Sequence, residues 1–229
     1  MSLTPRLLVL GGLCNRLRAL LSCRAAYGAI DVVWEPVDMV SHARFDDVFE
    51  PLADVHFVDG DRGWDLEAWA PVPGAPEGWE RGYKELFPCR PILDRFDALV
   101  ASLGGVGNYA AIHVRRTDHV PNMATMDREI EPLGEYLEWA PGRALPLYVA
   151  TDNGETQDAI LRARGADGLR TKFGKHLPGL ALQGLEDHTR NGELSDAVVD
   201  LWVCRHAAHF KGTTGSSFTD TINILRGLR

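Results

Sequence analysis

Four clusters of polar residues each follow a short apolar run, and they contain the residue types that could do chemistry. The clusters begin near Gly11, Arg115, Thr151 and Gly212. Each apolar run has the length and composition of a buried β-strand. Because ligands of α/β proteins bind beyond the carboxyl ends of the strands, we take these clusters as the candidate functional positions.

The cluster at residues 112–118 contains two adjacent arginines, Arg115 and Arg116. A guanidinium group matches the geometry of phosphate oxygens and can bind an anion through two hydrogen bonds. Alternate residues of a strand share a face, so His113 and Arg115 are predicted to point one way and Arg116 the other. We expect one arginine to contact an anionic ligand while the other braces the loop, with Asp118 as its candidate partner. A surface salt bridge is the alternative.

Two glycine-rich turns, at residues 11–16 and 212–217, each lie between a predicted strand and a predicted helix. Glycine lets backbone amides approach a ligand, and the following helix directs its positive end toward an anion. We interpret both turns as candidate phosphate cradles, and hydroxyl groups add donors in the second. For the first turn a plain strand-to-helix turn is an equal alternative, because it matches neither GxGxxG nor the Walker P-loop.

Two aspartates in the second half of the chain have different interpretations. Asp152 follows a predicted strand, where such a residue most often caps the next helix. Asp200 lies in an apolar helical run. An unpaired carboxylate there would be costly, so we expect a hydrogen-bond donor beside it. A guanine N1–H and N2–H pair is one candidate donor.

Composition excludes several classes of protein. The formal net charge of −8 gives no long-range positive field to attract nucleic acid or anionic lipid. The apolar run near the N-terminus is too short for a signal-peptide core or a membrane span. The four cysteines lack CxxC spacing, which argues against structural zinc and a disulfide framework. We expect a reducing, cytoplasmic setting.

Strands alternate with helices along the chain, which predicts an α/β fold with a mostly parallel, doubly wound sheet. Residues 64–91 are rich in Pro, Gly and Trp and are predicted to form a long connection or an acceptor-side loop region. Three glycines after residue 103 mark the start of a second run of strands and helices. We therefore expect two domains, 1–103 and 104–229. The predicted strands are 7–10, 32–34, 55–58, 110–114, 147–150, 169–172 and 209–211, and the predicted helices are 13–27, 94–103, 130–139, 155–164, 193–206 and 217–225.

Taken in order, these motifs resemble the α1,6-fucosyltransferase and protein O-fucosyltransferase superfamily, whose bacterial members include the nodulation fucosyltransferases. The resemblance extends from residue 11 to about residue 222 and is weakest between residues 30 and 100. The motifs are Gly12-x-x-Asn15-Arg16, His113-Val-Arg115-Arg116-Thr-Asp118, Ala150-Thr151-Asp152, Asp200-Leu-Trp and Gly212-Thr-Thr-Gly-Ser216-Ser217.

The resemblance implies a GT-B-like fold of two Rossmann-like halves that face a central cleft, an acceptor-side domain followed by a GDP-sugar-binding domain. It also implies GDP-fucose as donor, inversion at the anomeric carbon and no essential metal. Carried over by position, Arg115 is expected to hold the donor β-phosphate, Asp200 to read guanine and Asn15 to lie near the reacting centre. Ser216 and Ser217 are expected to contact phosphate. The other expected donor-binding residues are Gly11, Gly12, Arg16, His113, Arg116, Asp152 and Thr214.

The chain departs from the family pattern at the catalytic base, because residues 119–123 contain no glutamate where core-fucosylating members have one. The candidates are Asp118, His119, Glu129 and Glu131. Among them, His119 has the most suitable unperturbed pKa. Some family members work without a dedicated base, and an arginine and an asparagine then promote departure of the nucleoside diphosphate.

Two other functions are kept as alternatives. One is a GDP-sugar-binding protein without catalytic activity. The other is a metal-dependent GT-A transferase, for which Asp59 and Asp61 supply a DxD string that also occurs in ordinary turns. We interpret His206 and His209 as cations at a helix C-terminus rather than as a metal pair. The expected acceptor is a glycan, a peptide or a small-molecule hydroxyl, with no nucleic acid partner.

Overall fold

The computed structural model describes residues 4–34, 43–116, 131–139, 141–165, 169–171, 174–175 and 194–228. The chain forms two compact units. The N-terminal unit consists of Met1–Arg90, Glu193–Ser195 and Ile224–Arg229, and the C-terminal unit of Pro91–Gly192 and Asp196–Asn223.

The N-terminal unit is built on a parallel sheet with the strand order β3-β2-β1-β4. Its strands are β1 (Arg6–Val9), β2 (Ile30–Val33), β3 (Val55–Phe57) and β4 (Leu66–Ala68). Helix α1 (Leu13–Tyr27) follows β1, and short 3-10 helices span Phe45–Asp47, Gly60–Arg62 and Trp79–Glu85.

Helix α1 is positioned by its apolar residues and by glycine at both ends. Leu17 and Leu20, which recur at helical spacing, are completely buried. The helix ends at Gly28, whose φ of 78° favours glycine and whose N–H donates to the Arg24 carbonyl at 2.8 Å. The predicted helix bounds are confirmed here.

The region 64–91 is not the plain connection that its composition predicts. It contains β4, which pairs with β1 in the register Leu7↔Leu66, and it also contains the 3-10 helix Trp79–Glu85. A three-residue edge strand carries too little periodicity to be recognised, and β4 is stabilised by its pairing with a strand far away in sequence.

The C-terminal unit has a five-stranded sheet in the order β8-β7-β6-β5-β9, and only the edge pair β7–β8 is antiparallel among the described strands. Its strands are β5 (Ala110–Val114), β6 (Leu147–Thr151), β7 (Leu169–Thr171), β8 (Gly174–Lys175) and β9 (His209–Lys211). The remaining helices of the chain are α2 (Arg90–Ser102), α3 (Leu133–Glu138), α4 (Pro141–Ala144), α5 (Gly154–Arg164), α6 (Leu194–His206) and α7 (Ser217–Gly227). The first residue of α2, the first two of α6 and the last four of α7 belong to the N-terminal unit.

Both sheets place their first strand between their second strand and their last strand. In the C-terminal unit β5 lies between β6 and β9, just as β1 lies between β2 and β4. The strand order reverses at the β1/β4 pair and at the β5/β9 pair, and such switch points are where open α/β sheets bind ligands. The prediction of an α/β fold with mostly parallel sheets is confirmed.

None of the four cysteines forms a disulfide, and three of them are buried. Burial raises the pKa of the Cys23 thiol to about 11, which makes this thiol unreactive at neutral pH. Within the described residues, the structure contains no helix with the length and apolar character needed to cross a membrane.

Candidate functional site

The candidate site of the C-terminal unit lies where β5 and β9 end beside each other. The two strands pair in parallel up to Ile112↔Lys211. Beyond this pair, β5 leads to Arg115 and Arg116, while β9 leads through the turn 212–216 into α7. Two of the four polar clusters are thereby brought together at a switch point of the sheet.

The hydroxyl of Thr213 joins these two chain segments. Its Oγ1 donates to the His113 carbonyl at 3.0 Å and accepts from the Arg115 backbone N–H at 3.0 Å. Thr213 is 2% exposed. The hydroxyl takes over the strand-to-strand hydrogen bonds at the point where the backbone after β9 turns away, so it fixes the start of the arginine segment.

The turn after β9 requires glycine at residue 212. A Cβ atom on Gly212 would lie 2.5 Å from Thr219 Oγ1 and 2.9 Å from the Phe210 ring. Gly215 adopts a φ of 72°, which also favours glycine. The turn therefore packs directly against the first turn of α7.

Ser216 has a buried hydroxyl for which the described residues supply no hydrogen-bond partner. The residue is 0% exposed. It immediately precedes α7, and its backbone carbonyl accepts from the Asp220 N–H at 3.0 Å. A serine in this position usually caps the helix with its side chain, but this hydroxyl does not. A buried polar atom without a partner is costly, and a group that reached this hydroxyl would satisfy it.

Glu131 holds the same turn from the other side. Its carboxylate accepts the Thr214 backbone N–H at 3.1 Å, and it also accepts the Thr214 hydroxyl. The Tyr136 hydroxyl lies 3.1 Å from Glu131 Oε2 and 3.0 Å from Thr213 Oγ1. Burial by itself would raise the pKa of Glu131, but the hydrogen bonds from Thr214 and Tyr136 outweigh it, and the pKa is lowered. A carboxylate with a lowered pKa is a weak proton acceptor, and the contacts of Glu131 brace the turn.

Arg116 is the arginine that braces the loop. Its guanidinium donates to the Glu131 carbonyl at 2.7 Å, and its backbone N–H donates to Asp152 Oδ1 at 3.0 Å. Arg115, which is half-buried, is held through its backbone by Thr213. The structure therefore separates the two arginines by their contacts.

The prediction that Asp152 caps the next helix is wrong. The cap of α5 is Asn153, whose side chain accepts from the Thr156 N–H at 2.8 Å. Thr151 Oγ1 donates to the Val114 carbonyl and accepts from the Asn153 N–H, which shifts the start of the helix by one residue. Asp152 is thereby left to bind the backbone of Arg116.

The side chain of His113, a residue of β5, lies against α7 inside the C-terminal unit. Its Nδ1 atom is 2.9 Å from Thr219 Oγ1, and its ring stacks on Phe218 at a centroid distance of 4.7 Å. The residue is 6% exposed. These contacts attach the first turn of α7 to the strand that precedes the arginines.

Asp200 has the hydrogen-bond donor that its buried position requires. The Tyr148 hydroxyl donates to Asp200 Oδ1 at 2.6 Å. Burial, together with the charge of Asp200, raises the pKa of Tyr148 far above its usual value, so the phenol remains a donor. A ligand is therefore not required to supply this first hydrogen bond.

The glycine turn of the N-terminal unit is braced by Arg16. The guanidinium Nε donates to the Gly11 carbonyl at 2.9 Å and lies over the Trp34 ring, with its carbon 5.2 Å from the centroid. Arg16 is 1% exposed. Gly11 adopts a φ of 76°, and the half-buried Asn15 side chain lies against it. Gly12 is the last residue before α1.

Several predicted residues fall elsewhere. Asp118, His119 and Glu129 lie outside the described residues. Asp59 and Asp61 lie in the turn that forms the 3-10 helix Gly60–Arg62. In the described parts of the chain, no group of three or more His, Cys, Asp or Glu residues could hold a metal ion.

His206 ends α6, and its Nδ1 atom lies 2.8 Å from the Trp202 carbonyl, in the place expected for a helix C-terminal contact. His209 begins β9 and is exposed.

Three residues of this network were not singled out in the sequence. Thr213 lies within the glycine turn, where the sequence assigns it no role. Tyr136 and Tyr148 lie in elements that look like ordinary core segments. A hydroxyl at the end of β9 is a weak signal, because its role depends on β9 being the neighbour of β5. The only available indication for Tyr148 was the need of Asp200 for a donor.

No family model matches the sequence, and no curated protein matches it. The structure is similar to solved fucosyltransferases. The fucosyltransferase NodZ from Bradyrhizobium matches with a TM-score of 0.61 and 14% identity over 98% of this chain and 94% of that chain. POFUT1 in its apo form matches with a TM-score of 0.62 and 13% identity, over 99% of this chain and 96% of that chain.

Two matching structures were determined with the donor. The first is NodZ alpha-1,6-fucosyltransferase soaked with GDP-fucose, which matches with a TM-score of 0.60 and 15% identity over 97% of this chain and 92% of that chain. The second is POFUT1 in complex with GDP-fucose, which matches with a TM-score of 0.59 and 12% identity over 97% of this chain and 94% of that chain. At these identities the likeness is one of fold. The resemblance to the fucosyltransferase superfamily that the motifs predict is confirmed at that level.

Proposed function

We propose that the protein is an inverting, metal-independent glycosyltransferase that moves fucose, or a related sugar, from a GDP-sugar to a hydroxyl group of a glycan, a peptide or a small molecule. The fold likeness to proteins solved with GDP-fucose supports this class of donor. The observation that carries the proposal is the buried Ser216 hydroxyl at the β5/β9 switch point, where a phosphate oxygen would be its partner.

The residues around Ser216 suit a diphosphate. The turn 212–216 leads into the N-terminus of α7, whose backbone N–H groups and dipole favour an anion. Arg115 emerges from the neighbouring strand and supplies a permanent positive charge. In this proposal Ser217 adds a hydroxyl donor, while the Thr214 hydroxyl donates to Glu131 and holds the turn. Arg116, Asp152 and His113 position the loops and do not contact the donor.

The reaction requires a shift of charge that these groups can stabilise. The acceptor oxygen forms a bond to the anomeric carbon while the bond from that carbon to the β-phosphate oxygen breaks. The electron pair of the broken bond leaves with GDP, and the acceptor proton passes to a base or to solvent. Arg115 and the amides before α7 stabilise the negative charge that grows on the β-phosphate, which is the role that a metal ion has in other transferases. The candidates for the base remain Asp118, His119, Glu129 and Glu131, or a mechanism that uses none.

The two units have different roles in this proposal. The C-terminal unit binds the GDP-sugar, with Asp200 beside the guanine. The N-terminal unit takes the acceptor, with Asn15 and the glycine turn as its proposed contacts. Four cysteines without a disulfide fit a reducing compartment such as the cytoplasm.

The test is calorimetric titration of GDP, GDP-fucose, GDP-mannose and UDP in EDTA, on the wild type, Arg115→Ala and Arg162→Ala. Arg162 is an exposed arginine on α5 of the same unit and serves as the matched control. We expect guanine nucleotides to bind without metal, with the affinity reduced at least tenfold in Arg115→Ala and unchanged in Arg162→Ala. Absence of guanine-nucleotide binding would refute the proposal.

Two outcomes separate the alternatives. Binding of GDP-fucose without transfer to any acceptor would favour a GDP-sugar-binding protein. Binding of UDP only in the presence of Mn²⁺, with loss of that binding on Asp59→Ala, would favour a metal-dependent transferase.

A further inference from the structure

Trp69 lies at the end of the N-terminal sheet where a ligand is expected, and its side chain is exposed. It follows β4 directly and is 65% exposed, the largest exposed fraction among the large hydrophobic residues of the described chain. An indole that is about two-thirds exposed contributes little to folding. We therefore ask what it could bind.

The backbone places Trp69 beside the glycine turn. The Leu10 N–H donates to the Ala68 carbonyl at 2.9 Å, which extends the β1–β4 pairing to the last residue before Trp69. Neighbouring strands lie about 5 Å apart, so Trp69 leaves the sheet one strand spacing from Gly11. This is the switch point of the N-terminal sheet, where Asn15 also lies.

A carboxylate accompanies the indole. Glu67 and Trp69 are both exposed, whereas Leu66, before Glu67, and Ala68, between the two, are half-buried. The alternation along β4 puts Glu67 on its exposed face, and Trp69 is the next exposed residue, in the bend that follows the strand. A flat aromatic ring beside a carboxylate suits a sugar ring, because the apolar C–H face of a pyranose can stack on the indole while its hydroxyls donate to the carboxylate.

The same strand provides an internal comparison. Trp64 precedes β4 at its amino end and is 47% exposed. It lies five residues from Trp69, or about 16 Å along an extended chain, and away from the switch point. The two tryptophans are both exposed, but Trp64 lies at the amino end of β4 and Trp69 at its carboxyl end.

We propose that Trp69 and Glu67 form a carbohydrate subsite of the N-terminal unit, and that the acceptor is therefore a glycan rather than a peptide. Trp69 stacks on a pyranose ring of the acceptor, and Glu67 accepts its hydroxyl hydrogen bonds. The glycan interpretation rests on the proposed transferase function, whereas sugar binding at Trp69 does not.

The test is saturation-transfer NMR and calorimetry with hexasaccharides of glucose, mannose, xylose and N-acetylglucosamine, and with a Ser/Thr-containing peptide, each with and without GDP. The variants are Trp69→Ala, Trp69→Phe and the control Trp64→Ala. We expect at least one hexasaccharide to bind, with its Kd raised about tenfold by Trp69→Ala, largely restored by Trp69→Phe and unchanged by Trp64→Ala. Thermal unfolding checks that all variants are folded.

Other outcomes overturn the proposal. It fails if no hexasaccharide binds, if only the peptide binds, or if the two tryptophan-to-alanine variants behave alike. Its failure is distinct from that of the transferase function: binding of GDP without any hexasaccharide refutes the subsite alone. Trp69-dependent binding of a hexasaccharide without binding of GDP supports the subsite and refutes the transferase.

Discussion

The unpartnered hydroxyl of Ser216 leads to a prediction in which stability and ligand affinity change in opposite directions. In Ser216→Ala the buried oxygen is removed without loss of a hydrogen bond to any described residue. An unsatisfied buried polar group costs about 1 to 3 kcal/mol. The ligand-free variant is therefore expected to be more stable by about 1 kcal/mol, which corresponds to a rise of about 2 to 4 °C in the thermal midpoint.

The same substitution should weaken nucleotide binding. A hydrogen bond to a charged group contributes about 1.5 to 3 kcal/mol, so loss of the bond to the β-phosphate should raise the Kd for GDP about 10- to 150-fold. The affinity for guanosine, which has no phosphate, should not change. Differential scanning calorimetry and titration calorimetry measure the two effects on one preparation.

Ser22→Ala is the matched control. Ser22 is also 0% exposed, but its hydroxyl donates to the Ala19 carbonyl at 3.1 Å and accepts from the Val72 N–H at 2.9 Å. Its loss should lower the free energy of unfolding by about 1 to 3 kcal/mol and leave the affinity for GDP unchanged. The reasoning is refuted if Ser216→Ala destabilises the protein as Ser22→Ala does, or if it binds GDP like the wild type.

Two further predictions concern the residues that hold this turn. Thr213→Val removes the hydroxyl shared by His113 and Arg115, so it should lower the free energy of unfolding by about 2 to 4 kcal/mol in urea denaturation, and a change below 0.5 kcal/mol would contradict the proposed role. Glu131 has a lowered pKa, so its stabilising effect is present above the unfolded pKa and is lost as the pH falls through the folded pKa. Glu131→Gln should therefore be less stable than the wild type at neutral pH. It should also lose less stability than the wild type on acidification, as measured by thermal midpoints from pH 3 to pH 7. An unchanged acid profile would show that the carboxylate does not hold the Thr214 backbone.

Most of the strands and helices could be predicted because their own residues specify them. Ala110–Val114 is an unbroken small and apolar run, and the structure gives a strand with those bounds, buried at every residue. His209–Lys211 was also predicted with its observed bounds. Helices α1 and α6 were predicted within a residue at each end, because leucine spacing and flanking glycine or polar residues define them.

Elements and contacts that depend on distant parts of the chain could not be predicted. Strand β4 exists through its register with β1, almost sixty residues earlier, and its three residues contain no usable pattern. For Asp200 the need for a donor followed from its apolar surroundings, but the choice of Tyr148 depends on how α6 packs on β6. The role of Thr213 likewise follows only from the β5–β9 pairing.

The most direct test of the proposed function is a crystal structure of the protein with GDP, grown in EDTA. The account predicts a β-phosphate oxygen within about 3 Å of Ser216 Oγ, as a charge-assisted hydrogen bond requires, with the Arg115 guanidinium on the same phosphate. A GDP molecule bound elsewhere, or a β-phosphate that contacts neither residue, would contradict it.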